Sequence, residues 1–477
     1  MDLLVATSAA LLAGTEPSPP PEPAPLPTVT AAPAPTQDDT FNPLDILSVL
    51  DLDFRIGAWT FHGYLQYDGA TYDQAMEGPA TTDFRRGGVH LGDPLRARNL
   101  SDGSYLRRAR LGWEGTHGEY IAYRAMFELG AQDDPTESRI AEVWASYNRG
   151  RYTVQAGAYA PPTNMEGATS SDSTLFLERA TAADLARGVG GGDGRIGVTL
   201  KRAEAASMAT ISVTGPLLAD TEDYVPRAAI VGRYTRAMTW REDYRLHFGV
   251  NGTYVLVPGR KNLEGQPKAF PIRFLNTPEI DVDDTPLIDT GDIDARHTTV
   301  LGAEFAAQHK NLYLQAEGFW FGVQRHGAVS GDPNFTGFYV QGSWILTGET
   351  RRFDRSRRAF AFPKPNAPLG KGGLGAWELG FRYSVMDLNY RAGSPGEAPP
   401  EAGVRGGRQE IVGAALLWYP RPRVRLMFNY LHVRVDRLNP ADSFDPEPFG
   451  PAPSTPPIGV QIGQSLDIAA LRIRYSF

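Results

Sequence analysis

Few side chains in this sequence could carry out covalent or metal chemistry. The chain has no cysteine, which excludes disulfides, thiolate catalysis and Cys-ligated zinc or iron–sulfur centres. A barrel lipase or protease would need serine, histidine and an acid together. No motif pairs a nucleophile with any of the eight histidines, which are His62, His90, His117, His247, His297, His309, His326 and His432. We therefore expect a protein that is not an enzyme and has no catalytic residue, metal site or cofactor.

Arginine is the residue type whose spacing indicates a function. Its planar guanidinium donates paired hydrogen bonds to phosphate-like anions and stays ionised. Period-two alternation with apolar residues predicts one inward, water-facing set: Arg108, Arg110, Arg124, Arg227, Arg233, Arg245, Arg382, Arg425, Arg472 and Arg474. The alternative is that these residues form arginine–glutamate ladders that only solvate a polar wall.

Composition limits the elements that could position these arginines. Among 477 residues the net charge is −8, which argues against generic nucleic-acid binding. No run approaches about 18 consecutive apolar residues, which excludes a transmembrane helix. The mean hydropathy of −0.31 fits a soluble protein, but it equally fits a transmembrane β-barrel, because only alternate strand residues of a barrel are apolar.

Alternation interrupted by Gly, Pro, Asp and Asn turns dominates after residue 53. It predicts about sixteen strands, at 53–68, 105–116, 118–130, 138–149, 151–159, 192–203, 206–215, 225–238, 243–257, 297–308, 311–324, 334–347, 373–389, 407–420, 422–437 and 462–477. Short and long connections alternate, and the last strand sets aromatic and aliphatic residues against arginine and serine. We predict an all-β fold, an antiparallel transmembrane barrel with long external loops and one inward-folding loop.

The sequence before the strands divides into three pieces. Residues 1–15 contain an apolar run interpreted as a signal peptide whose true start, with a basic n-region, lies upstream; the alternative is that the run is not a signal. Residues 16–40 are rich in proline and predict an extended spacer. Residues 41–52 form a short pre-barrel segment, and the barrel domain is expected to span 53–477.

Several stretches in order along the chain resemble the phosphate-selective porin O and P family. They are RRARLG at 107–112, AGAYAPPTNMEGATSS at 156–171, FLER at 176–179, GFYVQGSWILTGET at 337–350, GAWELGFRYS at 375–384 and WYPRPRVRLMFNY at 418–430. The resemblance implies a sixteen-stranded outer-membrane barrel, usually a homotrimer, that conducts small anions by diffusion.

The resemblance also assigns the ion path. Loop 160–191, whose apolar LFL run at 175–177 suits packing against the wall, would form the constriction. Arg179 would stand at the narrow point, with hydroxyls from Ser170 and Ser171. The wall would supply two arginines and an acidic partner, Arg108, Arg110 and Glu142. Where the family has a lysine shortly before the serine pair, Gly167 or a neighbour stands here. Glu178 is interpreted as the ion-pair partner of an arginine, because a lone carboxylate gives no catalytic dyad.

Two further segments have opposite charge. Segment 347–372 is strongly basic, and the resemblance implies that it bends into the lumen from the periplasmic side. The alternative is a solvated loop that faces peptidoglycan or a partner. The arginines of segment 347–372 that we predict on the ion path are Arg351, Arg352, Arg355, Arg357 and Arg358. Segment 279–294 is acidic and would repel anions at the external mouth at low salt, which argues against high-affinity phosphate selectivity.

These observations predict a porin in the outer membrane of a Gram-negative-type bacterium, with an arginine-lined lumen that passes small anions. Phosphate and polyphosphate are candidate solutes. The expected partners are small anions, outer-membrane lipid, lipopolysaccharide and two further copies of the chain, and not nucleic acid. The alternative function is a structural anchor, in which the proline-rich arm ties the barrel to another envelope component.

Overall fold

The computed structural model describes residues 54–56, 59–74, 100–130, 138–218, 226–241, 243–259, 270–327, 331–440 and 458–477. Within these residues, sixteen strands form the barrel wall. They are β1 Trp59–Gln74, β2 Gly103–His117, β3 Ile121–Leu129, β4 Ser138–Arg149, β5 Tyr152–Tyr159, β6 Arg195–Ala203, β7 Ser207–Leu217, β8 Ala228–Arg241, β9 Tyr244–Val257, β10 Ile293–His309, β11 Leu312–Arg325, β12 Asn334–Ile345, β13 Ala376–Tyr390, β14 Val404–Arg421, β15 Val424–Asp436 and β16 Ser465–Ser476. The predictions for residues 1–52 lie outside the described residues.

The wall is closed and antiparallel throughout. Each strand pairs with its neighbour in the chain, and β16 pairs with β1 from Tyr64 opposite Ser476 to Gln74 opposite Leu466. Closure pairs the first strand with the last, so neither is left as the open edge of a sheet. The predicted fold class is confirmed.

Side chains on the strands alternate as the sequence predicts, with the apolar ones outside. On β16, Leu471 and Ile473 are 46% and 44% exposed, whereas Arg472 and Arg474 between them are 2% and 4% exposed. A soluble protein would bury the leucine and expose the arginine, so this inversion is typical of a wall that meets lipid outside and polar groups inside.

The first strand begins later than predicted, at Trp59 instead of residue 53. The chain end accounts for this, because β16 stops at Ser476 and leaves the start of β1 without a neighbour on that side. The short strand Phe54–Ile56 pairs with Trp59–Phe61 there, antiparallel to β1. The predicted first strand therefore combined two strands, the short one and β1, because alternation alone does not separate them.

Connections differ at the two ends of the barrel. One end carries tight turns, such as 118–120, 150–151 and 310–311, together with the long segment 346–375, and the other end carries the remaining long loops. Both the start of β1 and the end of β16 lie at the short-turn end, which in outer-membrane barrels faces the periplasm. Among the described residues, no helix is long and apolar enough to cross a membrane.

Three segments fold into the barrel, where the sequence predicted one loop and the resemblance implied a periplasmic insert. Segment 160–194 contains helices α1 Met165–Ala168 and α2 Thr181–Gly190. Segment 270–292 contains the short pair Leu275–Asn276 and Ile288–Asp289. Segment 346–375 enters from the short-turn end with the pair Arg352–Asp354 and Ala359–Ala361. Their apolar side chains pack with inward residues of β8 to β16 and of β1, and together these form the core.

Candidate ion pathway

A cavity of about 400 Å³ lies between segment 160–194 and the inner face of β2 to β7. It reaches from mid-barrel toward the short-turn end, where Ser356 and Arg357 of segment 346–375 contribute to its lining. Among the described residues its charged lining consists of seven cations and three carboxylates: Arg108, Arg110, Arg124, Arg179, Arg187, Lys201 and Arg357 against Glu114, Glu142 and Asp193. The cavity is therefore electropositive in a chain whose total charge is negative.

A β-bulge in β2 determines which of its arginines face the lumen. Gln66 of β1 lies opposite Arg108, but the next residue, Tyr67, lies opposite Leu106, so Arg107 is the extra residue. Leu106 faces outward and is 48% exposed, whereas Arg107 binds lumen carboxylates. Two consecutive arginines therefore point inward, which strict alternation forbids. Sequence reasoning missed Arg107 for this reason.

Asp193 gathers the arginines of the cavity. Its Oδ2 accepts hydrogen bonds from Arg108 at 3.2 Å and Arg110 at 3.1 Å, and Oδ1 accepts one from Arg187 of α2. Burial alone would raise the pKa of Asp193, but these three guanidiniums hold it well below its usual range. Asp193 therefore stays ionised and offsets part of the positive charge. Sequence reasoning missed Asp193 and Arg187, because nothing local marks a carboxylate that binds across a lumen.

The loop residues that the sequence assigned to the constriction line the same cavity. The Arg179 guanidinium donates to the backbone carbonyls of Glu166 at 3.1 Å and Thr169 at 3.3 Å. Ser170 and Ser171 are half-buried, and Arg474 of β16 donates to the Ser171 hydroxyl at 3.2 Å. Arg179 is thus held in one orientation by the loop itself.

The acidic partner assigned to the fourth strand lies on β4 and lines the cavity. Glu142 pairs with Arg124 of β3 at 3.2 Å and accepts a hydrogen bond from the Trp144 indole at 2.7 Å. Arg124 also reaches Glu114 of β2 at 3.2 Å. Arg124 therefore sits between two carboxylates and adds less field to the lumen than Arg179.

Wall arginines on the opposite side hold the inward segments. Arg382 of β13 is fully buried and pairs with Glu166 of segment 160–194 and Glu279 of segment 270–292, each at 2.9 Å. Arg472 of β16 pairs with Glu178 at 2.8 Å, which confirms the interpretation of Glu178 as an arginine partner. These cations close the lumen on the β10 to β16 side and leave the cavity against β2 to β7.

With this geometry established, comparisons with known proteins identify the family. A family model described as phosphate-selective porin O and P matches residues 87–449, about three quarters of the chain. The chain belongs to this family. A closed sixteen-stranded porin barrel is an outer-membrane protein, which confirms the predicted location.

Two relatives each share about a quarter of their aligned residues with this porin. Porin O of Pseudomonas aeruginosa is 25% identical over 427 residues, covering 81% of this chain and 92% of that protein. An uncharacterized protein of Caulobacter vibrioides is 26% identical over 370 residues, covering 75% of this chain and 68% of that protein. Among solved structures, an anion-selective porin from Comamonas acidovorans aligns with a TM-score of 0.48 at 12% identity, covering 88% of this chain and 99% of that one.

The basic segment of this porin enters the lumen, but its arginines do not act as one group. Arg351 is buried against Glu378 of β13 at 2.8 Å and donates to the Ser173 carbonyl at 2.9 Å. Arg358 is buried and donates to backbone carbonyls of the β6–β7 turn, including Ser207 at 3.1 Å. The expectation that both line the ion path is corrected: each anchors the segment, because the desolvated guanidinium needs these acceptors.

The other three arginines of the segment are exposed. Arg357 lines the cavity, with Asp354 3.8 Å away. Arg352 donates to the Phe362 carbonyl at 3.1 Å and lies over its ring, away from the cavity lining. Arg355 is exposed and also lies off that lining. Of the five predicted positions, the structure therefore brings only Arg357 to the cavity.

The acidic segment also differs from expectation, since part of it folds inward. Glu279 is buried on Arg382, Asp281 binds Arg107 at 2.7 Å, and Asp289 binds Arg273 at 2.6 Å. These three carboxylates are paired and do not present bare negative charge at the external mouth. The predicted repulsion of anions is therefore weaker than the count of acidic residues indicates.

Proposed function

We propose that this protein is a diffusion porin that favours small anions over cations. The observation that carries the proposal is the excess of guanidinium and ammonium groups over carboxylates around the cavity. Low-dielectric walls strengthen the field of such groups, so anions are concentrated and cations are repelled.

The preference is moderate rather than strong in this proposal. Arg108, Arg110 and Arg187 share Asp193, and Arg124 is shared by Glu114 and Glu142. Arg179 and Lys201 then supply most of the field that paired carboxylates do not offset, and Arg357 adds a smaller part because Asp354 lies 3.8 Å away. By the family resemblance, the lysine shortly before the serine pair is also missing here, where Gly167 or a neighbour stands. Phosphate and polyphosphate would accordingly pass as anions among others, without a tight binding site.

We also propose that three copies assemble, with outer-membrane lipid and lipopolysaccharide around them. The support for the homotrimer is the family resemblance. Chemical cross-linking of the purified protein in detergent, followed by a denaturing gel, tests this. Without cross-linker, the trimer band should be present in unboiled samples and absent after boiling. With cross-linker, the trimer band should survive boiling. A monomer band alone would contradict this part and leave the selectivity proposal intact.

Reversal potential in a planar bilayer tests the anion preference. In a potassium chloride gradient we expect the reversal potential to have the sign of the chloride equilibrium potential. Arg179→Gln and Arg357→Gln should each lower the chloride-to-potassium permeability ratio by about twofold, the size expected for one partly screened charge. Asp193→Asn should raise it by a similar factor.

Arg202→Gln is the matched control, because Arg202 lies on β6 next to Lys201 but is 52% exposed and pairs with Glu204 at the β6–β7 turn. Its permeability ratio should equal that of the unmodified protein. A reversal potential of cation sign in the unmodified protein would overturn the proposal.

A further inference from the structure

A serine, a histidine and an aspartate meet on the outer surface of the barrel at its external end. His432 Nδ1 lies 2.8 Å from Asp467 Oδ1, and Ser465 Oγ lies 3.5 Å from His432 Nε2. The Tyr430 hydroxyl donates to the same aspartate oxygen at 2.9 Å. His432 and Asp467 are 52% and 40% exposed, so a ligand outside the barrel can reach them.

The strand register builds this cluster. His432 of β15 lies directly opposite Asp467 of β16, and Arg434 lies opposite Ser465. All four residues share the outward face with Leu471 and Ile473, because positions two apart on a strand point the same way. Ser465 and His432 are 33 residues apart in the chain, which is why no linear motif shows them.

We propose that Ser465, His432 and Asp467 form an acyl-ester hydrolase site on the outer face of the barrel. The geometry sets the roles. Asp467 accepts the Nδ1–H of His432, which leaves Nε2 able to take the Ser465 hydroxyl proton once that hydroxyl turns from the Val433 carbonyl oxygen, 3.4 Å away. Tyr430 donates a second hydrogen bond to the same aspartate oxygen. This site is separate from the ion pathway and does not depend on the proposed transport function.

The reaction needs only an ester and water. Ser465 Oγ transfers its proton to His432 Nε2 and bonds to the ester carbonyl carbon. The carbon–oxygen bond to the alcohol then breaks, and the alcohol leaves with the proton from His432. Water next attacks the acyl–serine carbonyl and gives a proton to Nε2; this proton returns to Oγ as the carboxylic acid departs. Arg434 lies opposite Ser465 in the strand register, and by turning from Asp436, 4.0 Å away, its guanidinium would stabilise the negative carbonyl oxygen.

The position of the cluster selects the substrate class. Below it on the same face run Leu471 and Ile473 of β16 and Phe428 of β15, all about half exposed. An acyl chain lying against these side chains brings its ester group to the height of Ser465, and Arg434 is 66% exposed to meet a headgroup phosphate. We therefore commit to the acyl ester of an outer-leaflet lipid, with a small soluble ester as a comparison.

Labelling of the full-length protein in detergent with a fluorophosphonate tests the nucleophile. We expect one adduct, mapped to Ser465, that is absent in Ser465→Ala and much slower to form in His432→Gln. Ser104→Ala is the matched control, because Ser104 is an exposed outward serine near the same end that bonds to Tyr67 and not to a histidine. No adduct, or an adduct at another serine, would overturn the proposal.

Hydrolysis of a phospholipid and of p-nitrophenyl butyrate in mixed micelles tests the activity. Ser465→Ala should fall to the background rate, and Asp467→Asn should lose about a hundredfold or more. Faster turnover of the phospholipid supports the lipid assignment, whereas activity on the soluble ester alone would refute it. Unchanged single-channel conductance of each variant shows that the barrel has folded.

A cysteine probe gives a second test that does not depend on turnover. The chain has no native cysteine, so Ser465→Cys and Ser104→Cys each carry a single thiol. His432 should favour the thiolate at position 465, and iodoacetamide should alkylate it at least about tenfold faster near neutral pH than the thiol at position 104. Equal alkylation rates would contradict activation by His432.

Discussion

Arginine side chains in this barrel divide into two groups by what their guanidinium groups contact. Arg382, Arg472 and Arg351 are buried on carboxylates and backbone carbonyls, and they hold the inward segments in place. Arg179 and Arg357 border the cavity and have fewer carboxylate partners. Arginine therefore both holds the inward segments in place and supplies positive charge to the cavity. Burial and the partners of each guanidinium group decide which of the two a given arginine does.

Asp281 predicts a pH dependence of selectivity. Burial and the neighbouring Glu178 raise the pKa of Asp281 to about 6, although Arg107 opposes the shift. Above that pH the carboxyl is ionised, and below it the carboxyl is neutral. The lumen therefore loses a negative charge as pH falls, and the anion preference should increase between about pH 8 and about pH 5, with a midpoint near 6.

Reversal potentials across this pH range check the prediction. His62 is a second titratable group in the lumen, beside Arg124, Glu114 and Glu142. Asp281→Asn should remove the step near pH 6, whereas His62→Gln should keep it. A step of unchanged size and midpoint in Asp281→Asn would show that another group is responsible.

At the scale of elements, segment 160–194 crosses the lumen and is fixed at its far side. Glu317 of β11 accepts the backbone N–H groups of Met165 at 2.7 Å and Glu166 at 3.0 Å, at the start of α1. Arg382 then binds the Glu166 carboxylate. A segment held by buried charges in this way narrows the barrel only while its ion pairs remain complete.

Arg382→Met should release this segment. The substitution leaves Glu166 and Glu279 buried without their cation, which costs about 3–5 kcal/mol. We expect a higher and noisier single-channel conductance and a lower melting temperature. Adding Glu166→Gln and Glu279→Gln should restore part of the stability, since the buried charges are then removed as well.

Arg408→Met is the control for this experiment, because Arg408 of β14 is 42% exposed and pairs with the partly exposed Glu410. Exposed pairs contribute about 0–1 kcal/mol, so conductance and melting should change little. Equal effects of Arg382→Met and Arg408→Met would contradict the anchoring role of Arg382.

At the scale of the whole molecule, the barrel has an apolar exterior and a polar, charged interior. Its core is not the space between two sheets but the packing of three inward segments on one half of the wall. The other half of the lumen keeps the cavity. A sixteen-stranded barrel is wide enough for this arrangement, whereas smaller barrels fill with side chains.

Leu471→Arg tests the lipid-facing exterior. Leu471 lies midway along β16 and faces outward, so a guanidinium there should destabilise the barrel by about 2–4 kcal/mol near the bilayer midplane. Urea unfolding in phospholipid vesicles measures this. Leu374→Arg is the control, since Leu374 is 73% exposed in the connection before β13, and its unfolding free energy should be unchanged. An unchanged value for Leu471→Arg would place that face in water.

The sequence by itself determined the wall. A period of two is a local property, so sixteen strands, the outward face of Leu471 and the inward face of Arg472 follow from neighbours in the chain. The same reasoning placed Arg108 and Arg110 on the inner face, and the family resemblance added Glu142; the structure brings all three to one cavity.

Only the tertiary structure decided which inward arginines hold the inward segments in place and which ones border the water-filled cavity. The bulge at Arg107 shifts the alternation by one residue, and Asp193 reaches Arg108 from 85 residues away. Ser465 and His432 meet only because β15 and β16 pair in one register. Such contacts depend on strand register and on the paths of inward loops, which join distant residues and leave no periodic trace in the chain.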